Sequence, residues 1–287
     1  MAASPPTDRV VAVVELLAAS PHGASVSEVA ARLDLNRSTA TAVLAALEAP
    51  GWVQRGPDRR YTLGPGLLTV AAAVRTRVAL PDDTAQLLAA LATRVDCGVA
   101  LSLVGPDHVV FLAVEPGPGR LPAGIDVGTR LPLRPPAGAS VMPWRPAAER
   151  AAWLAHAPHL APALDTIRTH GVAAWRPRGD STELLTVLRD VVALLDEHPT
   201  RTALRERARE QLASIGAHPY TEADFASPRP LPLSYLSAPV PTPHGPPTHE
   251  LQIGPLRPAV SRAERRHYTT ELKSTAARLR PPPAPPH

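Results

Sequence analysis

Asn36-Arg37-Ser38-Thr39 follows the tight turn Asp34-Leu35 and opens a run whose apolar residues, Ala40, Val43, Leu44 and Leu47, recur at helical spacing. Packing that stripe inward leaves Arg37, Ser38, Thr41 and Ala42 on the opposite side, with Thr39 near the edge. An arginine fork and small hydroxyls at the exposed start of a helix suit phosphate oxygens and base edges in a major groove. The free amides of a first helical turn add a preference for anions. A second basic group follows closely. Arg55, Arg59 and Arg60 decorate two short alternating runs, Trp52-Val53-Gln54-Arg55 and Arg60-Tyr61-Thr62-Leu63, around Gly56-Pro57-Asp58. Such a hairpin carries arginines to backbone phosphates or into a minor groove. The expected partner is double-stranded DNA, met by Arg37, Ser38, Thr39, Thr41, Arg55, Arg59 and Arg60.

Three helices must position these side chains. Thr7-Asp8 caps the first, whose face is Val10, Val11, Val13, Val14, Leu16 and Leu17, and which stops near Ser20-Pro21-His22-Gly23. Ser25-Val26-Ser27-Glu28 has the form of a capping box and leads Val29, Ala30 and Leu33 into the second. Asn36 caps the third, Arg37 to Glu48. Each piece alone fits a small helical bundle with a polar surface. In this order, with a basic hairpin after them, they predict a winged helix-turn-helix over residues 1–66.

Residues 9–74 resemble the N-terminal domain of the IclR family of bacterial transcription regulators, above all in Leu35-Asn36-Arg37-Ser38-Thr39 and in Tyr61-Thr62-Leu63-Gly64-Pro65. The resemblance implies a linker helix over residues 67–80 that supports dimerisation, then a GAF-like α+β effector-binding domain over residues 81–280. The expected class is therefore α+β. Thr41 and Ala42 stand where the family usually has bulkier or basic residues, which shifts the expected base reading onto Arg37, Ser38 and the wing.

The C-terminal part carries its own pattern. Pro81-Asp82-Asp83-Thr84 caps a helix bearing Leu87, Leu88, Leu91 and Val95. Gly98–Val104 and His108–Glu115 read as a hairpin, with strands also expected at Arg120–Ile125, Val172–Trp175, Ser234–Val240 and Thr248–Ile253. Helices are expected at Ala147–His156, Ala163–Thr169 and from Ser261 to about Leu279. Thr182–His198 and Thr200–Ile215 read as a helical hairpin beyond the family pattern, an insertion at about residues 181–233. Glu206 and Glu210 interleave with its arginines, so its charged side reads as a solvated face. Eight of the twenty residues Pro228–Pro247 are proline, which reads as loop or extended linker, and residues 281–287 read as a disordered proline-rich tail.

The family resemblance also implies an effector pocket, in which amides at a helix start hold an anion and the last strands line the rest. On this chain those positions are Ala137 and Gly138, within Pro136–Ser140, together with Tyr235, Leu251 and Ile253. The last two are apolar where the family is often polar. That implies a larger, apolar or aromatic acid as effector, or a pocket that has lost its ligand.

Composition narrows the rest. A net charge of +4 is compatible with nucleic acid without demanding it. One cysteine, Cys97, rules out an internal disulfide framework and reads as a small buried hydrophobe. The 11 histidines show no ligand spacing, and His244 and His249, flanking Gly245-Pro246-Pro247, read as exposed loop residues. No phosphate-binding loop, dinucleotide fingerprint or nucleophile elbow is present, so an enzyme is not expected, nor a cofactor or metal. Without a signal segment or membrane span, the expected location is cytoplasmic. Two functions fit. One is a ligand-responsive regulator acting as a dimer or tetramer on a pseudo-palindromic operator. The other is a protein-interaction module whose winged helix no longer reads DNA.

Overall fold

The computed structural model describes residues 6–78, 80–117, 125, 127–177, 218–243 and 245–280. The strand expected at Arg120–Ile125 (Ile125 apart), both helices of the expected insertion, His244 and the tail at 281–287 lie outside the described residues. The chain divides into two units, Met1–Ala79 and Leu80–His287.

The first unit runs α1 (Pro6–Ala18), α2 (Val26–Arg32), α3 (Arg37–Glu48), β1 (Val53–Arg55), β2 (Tyr61–Leu63) and α4 (Leu67–Val78). Local chemistry sets the helix starts. Ser25 and Glu28 form a reciprocal capping box on α2, and the Asn36 carboxamide accepts from the Thr39 amide at 2.7 Å to start α3. Asp34 takes a left-handed backbone (φ 52°) in the turn between them. The core is Val13, Leu17, Val29, Ala40, Leu44 and Leu47, closed beneath by Val53 and Tyr61 of the hairpin. Ala24 extends that hairpin as a third short strand, exchanging two backbone hydrogen bonds with Tyr61. Gly23 makes this possible: at φ +67°, a Cβ there would sit 2.5 Å from the Tyr61 carbonyl oxygen.

The second unit is built on one antiparallel sheet of seven strands in the order β5-β4-β3-β10-β9-β6-β7. Its strands are β3 (Gly98–Val104), β4 (His108–Glu115), β5 (Arg130–Pro132), β6 (Ala173–Arg176), β7 (His218–Pro219), β9 (Tyr235–Val240) and β10 (His249–Gly254). A separate ribbon pairs β8 (Leu231–Leu233) with β11 (Arg257–Val260). Strands therefore occupy part of the proline-rich stretch expected to be loop. The prolines are tolerated because β8 and β11 form a short irregular ladder in which few backbone amides are required.

Each face of the sheet has its own cover. On one side α5 (Thr84–Val95) and α9 (Arg262–Arg278) bury Leu87, Leu88, Leu91, Tyr268 and Leu272 against Val99, Leu101, Leu236, Ala238, Leu251 and Ile253. On the other, the turn at Ala139–Met142 joins α6 (Ala147–Leu154) and α7 (Ala161–His170) over Val104, Ala173 and Trp175. A short helix, α8 (Glu222–Ala226), carries its own Thr221–Asp224 capping box. Cys97 is buried, and burial pushes its thiol up to about 12. The fold is α+β, as expected.

Leu44 is fully buried at the centre of the first unit's core. Leu44→Ala is expected to cost about 2–5 kcal/mol, read by urea unfolding of the helical signal. A loss under about 1 kcal/mol would mean that the α3 stripe is not the core.

Candidate nucleic-acid interface and sensor face

In the first unit, α3 exposes the residues its apolar stripe leaves over. Arg37, Ser38, Thr41 and Ala42 are exposed and Thr39 is half-buried. Two of the hydroxyls are already engaged as donors. Ser38 Oγ donates to the Asn36 carboxamide oxygen at 2.8 Å, and Thr41 Oγ donates to the Arg37 carbonyl at 2.8 Å. Each keeps its acceptor capacity, so they suit base amino groups better than phosphate oxygens. Arg37 is exposed at the capped end of the helix.

The hairpin divides its arginines by task. Arg59 is exposed at the tip, with a left-handed φ of 65°. Arg55 is exposed and lies over the Tyr61 ring, 5.7 Å from its centroid. Arg60 turns back instead. It donates to the His22 carbonyl at 3.0 Å, the Gly23 carbonyl at 3.0 Å and the Glu28 carboxylate at 3.0 Å. This corrects the expectation for Arg60, which is a strut between the wing and the start of α2 with its Nε and Nη2 donors engaged. The Ser25 amide, then the Ser25 hydroxyl and Arg60, hold the Glu28 carboxyl down at about 2. The signal for Arg60 was Glu28 itself, which the capping box had seemed to account for.

In the second unit, β10 reverses part of the expectation. Leu251 and Ile253 pair with Ala238 and Leu236 of β9 and pack among the α5 and α9 side chains. Tyr235 lies on the opposite face, stacked on Trp175 with ring centroids 5.9 Å apart. Leu251 and Ile253 therefore cannot share a site with Tyr235, because alternate strand residues face opposite sides. The side chains on Tyr235's face are Ser237, Glu250 and Gln252, which the motif match had missed by one position. The clue was in His-Glu-Leu-Gln-Ile-Gly itself, where the Leu-x-Ile pair claims the helix side and Glu-x-Gln is left for the other.

Glu250 is 3% exposed. One of its oxygens accepts from the Ser140 amide at 3.0 Å and from the Ser140 hydroxyl at 2.6 Å. Burial raises its pKa, while Ser140, Ser237 and the Gly138 amide favour the ionised form. Ser237 Oγ lies close to the carboxyl but completes no hydrogen bond of normal geometry. Tyr235 is likewise pushed well up, by burial first and by Glu250 second. The Ala137 amide is spent on the Arg134 carbonyl at 2.8 Å, so the turn does not offer it to a ligand. His249 is buried rather than exposed, because it opens β10 and does not belong to the loop before it. Among the described residues, no group of three or more His, Cys, Asp or Glu is placed to hold a metal ion. Among them, no helix is long and apolar enough to cross a membrane.

Residues 6–57 match the family model of the IclR helix-turn-helix domain. The HTH-type transcriptional regulator Rv1719 of Mycobacterium tuberculosis is 33% identical over 126 residues, 44% of this chain and 48% of that protein. The chain thus spans about half the length of this relative. Among solved structures, the IclR protein of Thermotoga maritima aligns with a TM-score of 0.60 at 18% identity, covering 95% of this chain and 96% of that one. An IclR homologue from Microbacterium hydrocarbonoxydans, solved with 4-hydroxybenzoate, aligns with a TM-score of 0.54 at 18% identity, covering 96% and 97%. The first unit is a helix-turn-helix domain of the IclR type, and the chain has the IclR fold.

Two measurements test this geometry. Arg60→Ala should cost about 1–2 kcal/mol of stability through the lost bonds to two carbonyls and Glu28, whereas Arg59→Ala should leave thermal unfolding unchanged. Equal effects would remove the strut. Burial alone pulls the His249 imidazole down from 6.5 to about 4, so the folded chain holds it neutral. Its contribution is present above pH 6.5 and is lost as pH falls toward 4. The raised Glu250 carboxyl acts in the opposite sense, favouring the fold as pH falls, so a matched variant is needed. Against His249→Gln, wild type should lose ground in urea midpoint across that window. Parallel curves would contradict the buried neutral imidazole.

Proposed function

We propose that this chain, whose first unit is a helix-turn-helix domain of the IclR type, is a DNA-binding transcription regulator acting as a homo-oligomer. The observation that carries this reading is the capped, exposed first turn of α3, with Arg37 projecting from the same unit whose hairpin exposes Arg55 and Arg59. Arg37, Ser38, Thr39 and Thr41 enter the major groove, and Arg55 and Arg59 meet the backbone or minor groove. Oligomerisation is supported by α4, where Leu68, Val70 and Val74 are 69%, 44% and 53% exposed. Val70 and Val74 are four residues apart and share one side of the helix, and a second copy of α4 covers that side. Two winged domains related by a two-fold would meet half-sites about 34 Å apart, or a multiple of that, on a pseudo-palindromic operator.

The second unit is the sensor. Its fold is shared with a protein solved with 4-hydroxybenzoate, and its Tyr235 face beneath the Ala137–Ser140 turn is where a signal is received. The interaction-module reading keeps one supporting observation, the committed hydroxyls of Ser38 and Thr41, which leave fewer donors for bases.

A gel shift on the chain's own upstream DNA separates the two readings. Arg37→Ala should weaken specific binding by about 1–3 kcal/mol, while Arg59→Ala should weaken all sequences alike and lower the salt slope by about 1. Equal losses on random DNA for both variants would take base reading away from Arg37. Binding no tighter to the upstream region than to random DNA would favour the interaction module. Val70→Asp combined with Val74→Asp should yield monomers by sedimentation and halve the DNA footprint. An unchanged oligomer would move the interface off α4.

A further inference from the structure

The turn above the sheet, residues 133–141, is held from outside so that its donors point at the strands. Trp153 Nε1 donates to the Ala137 carbonyl at 2.9 Å, and Arg145 donates to the Val104 carbonyl at 2.6 Å just beyond it. Gly138 runs at φ +74°, where a Cβ would meet Leu133 at 2.7 Å and Val104 at 3.0 Å. A glycine is therefore needed for this bend, which leaves the inner side of the turn facing β9 and β10. An amide and a hydroxyl of one residue, Ser140, converge there on a single point. That point is filled by the Glu250 carboxyl oxygen, at 3.0 and 2.6 Å. Among the described residues, the groups that favour its ionised form are Ser140, Ser237 and the Gly138 amide, none of them a cation. A carboxyl set among donors, with no counter-charge among the described residues and almost out of water, has the surroundings of a bound acid ligand.

We infer that Glu250 is the resident ligand of this turn: the chain's own carboxyl occupies the place where a small carboxylic acid would bind, and wild type is closed to such acids there. This inference rests on reading the second unit as a sensor, and it adds the regulation of that site. The unit is held in a liganded arrangement from within, so its output does not follow the concentration of free acid. Removing the side chain opens an acceptor-sized vacancy facing intact donors. An external carboxylate then stabilises the fold by mass action.

The test uses the full chain, with sodium acetate and sodium formate against sodium chloride at equal ionic strength, and ethylammonium chloride as the cationic control. Wild type should unfold at the same temperature in acetate and in chloride. Glu250→Ala should unfold earlier, and acetate should restore about 2–4 °C in a saturable way. Glu250→Gln, which refills the space with a neutral acceptor, should ignore acetate. Should Glu250→Ala fail to fold in chloride, recovery of its folded signal on dilution into acetate is the same test. The inference is overturned by acetate raising wild type as much as the variant, by acetate leaving Glu250→Ala unmoved, or by ethylammonium raising wild type. DNA binding is measured separately. Acetate rescue without specific DNA binding keeps the resident ligand and removes the regulator reading; DNA binding without rescue does the reverse.

Discussion

The strict alternation of side chains along β10 governs the second unit. β10 is the central strand, bonded to β3 on one edge and β9 on the other, so its register is set twice. Leu251 and Ile253, both fully buried, are claimed by the α5 and α9 layer. With those two assigned, Glu250 and Gln252 have no choice of face. A slip of one residue would thrust the carboxyl into the apolar layer that holds Leu88, Leu91 and Leu272. The turn at Ala139–Met142 is then the complement that this polar position needs.

In the first unit the corresponding constraint is the α3 stripe. Ala40, Leu44 and Leu47 are buried together with Val13 and Val29, and their burial fixes the rotation of α3 about its axis. The exposure of Arg37 follows from that rotation and needs no contact of its own. Arg60 shows the other side of the same economy. A basic residue next to the wing tip is drawn inward because Glu28, already anchored by Ser25, leaves a carboxylate beside two carbonyls at His22 and Gly23. Position on a basic hairpin therefore says less about an arginine's role than the acceptors within its reach.

These two units differ in how plainly the amino acids announce them. The helix starts at Ser25, Asn36 and Ser261 are local events, decided within three residues by an oxygen and an amide, and each is legible in the chain. The exposed set Arg37, Ser38, Thr41 and Ala42 follows from a period that a single segment contains. Leu251 and Ile253 were placed wrongly because matching Ile-Gly-Pro aligns the strand end and leaves its facing undecided. The facing depends on which partner layer takes the apolar pair, and part of that layer, α5, lies more than a hundred positions away. His249 fails for a related reason, since a turn signal marks where a loop stands but not the residue at which pairing resumes. The short strands β8 and β11 were masked by their prolines, which remove donors that this ribbon scarcely uses.

The same distance in sequence explains why Glu250 and Ser140 depend on each other. A carboxyl out of water costs several kcal/mol unless donors replace its hydration. Ser140 supplies two of them, and Ser140 is aimed only because Gly138 bends the turn while Trp153 holds it at Ala137. Conversely, the Ser140 amide and hydroxyl are buried polar groups whose acceptor here is Glu250. Unpaired, they would carry a penalty of their own. Neither partner is cheap to keep without the other, so the arrangement behaves as a single closed unit. An acid arriving from solution would have to displace a tethered carboxyl whose local concentration it cannot match. Sensitivity to acids at this turn is therefore decided by one side chain of β10, and so is its absence.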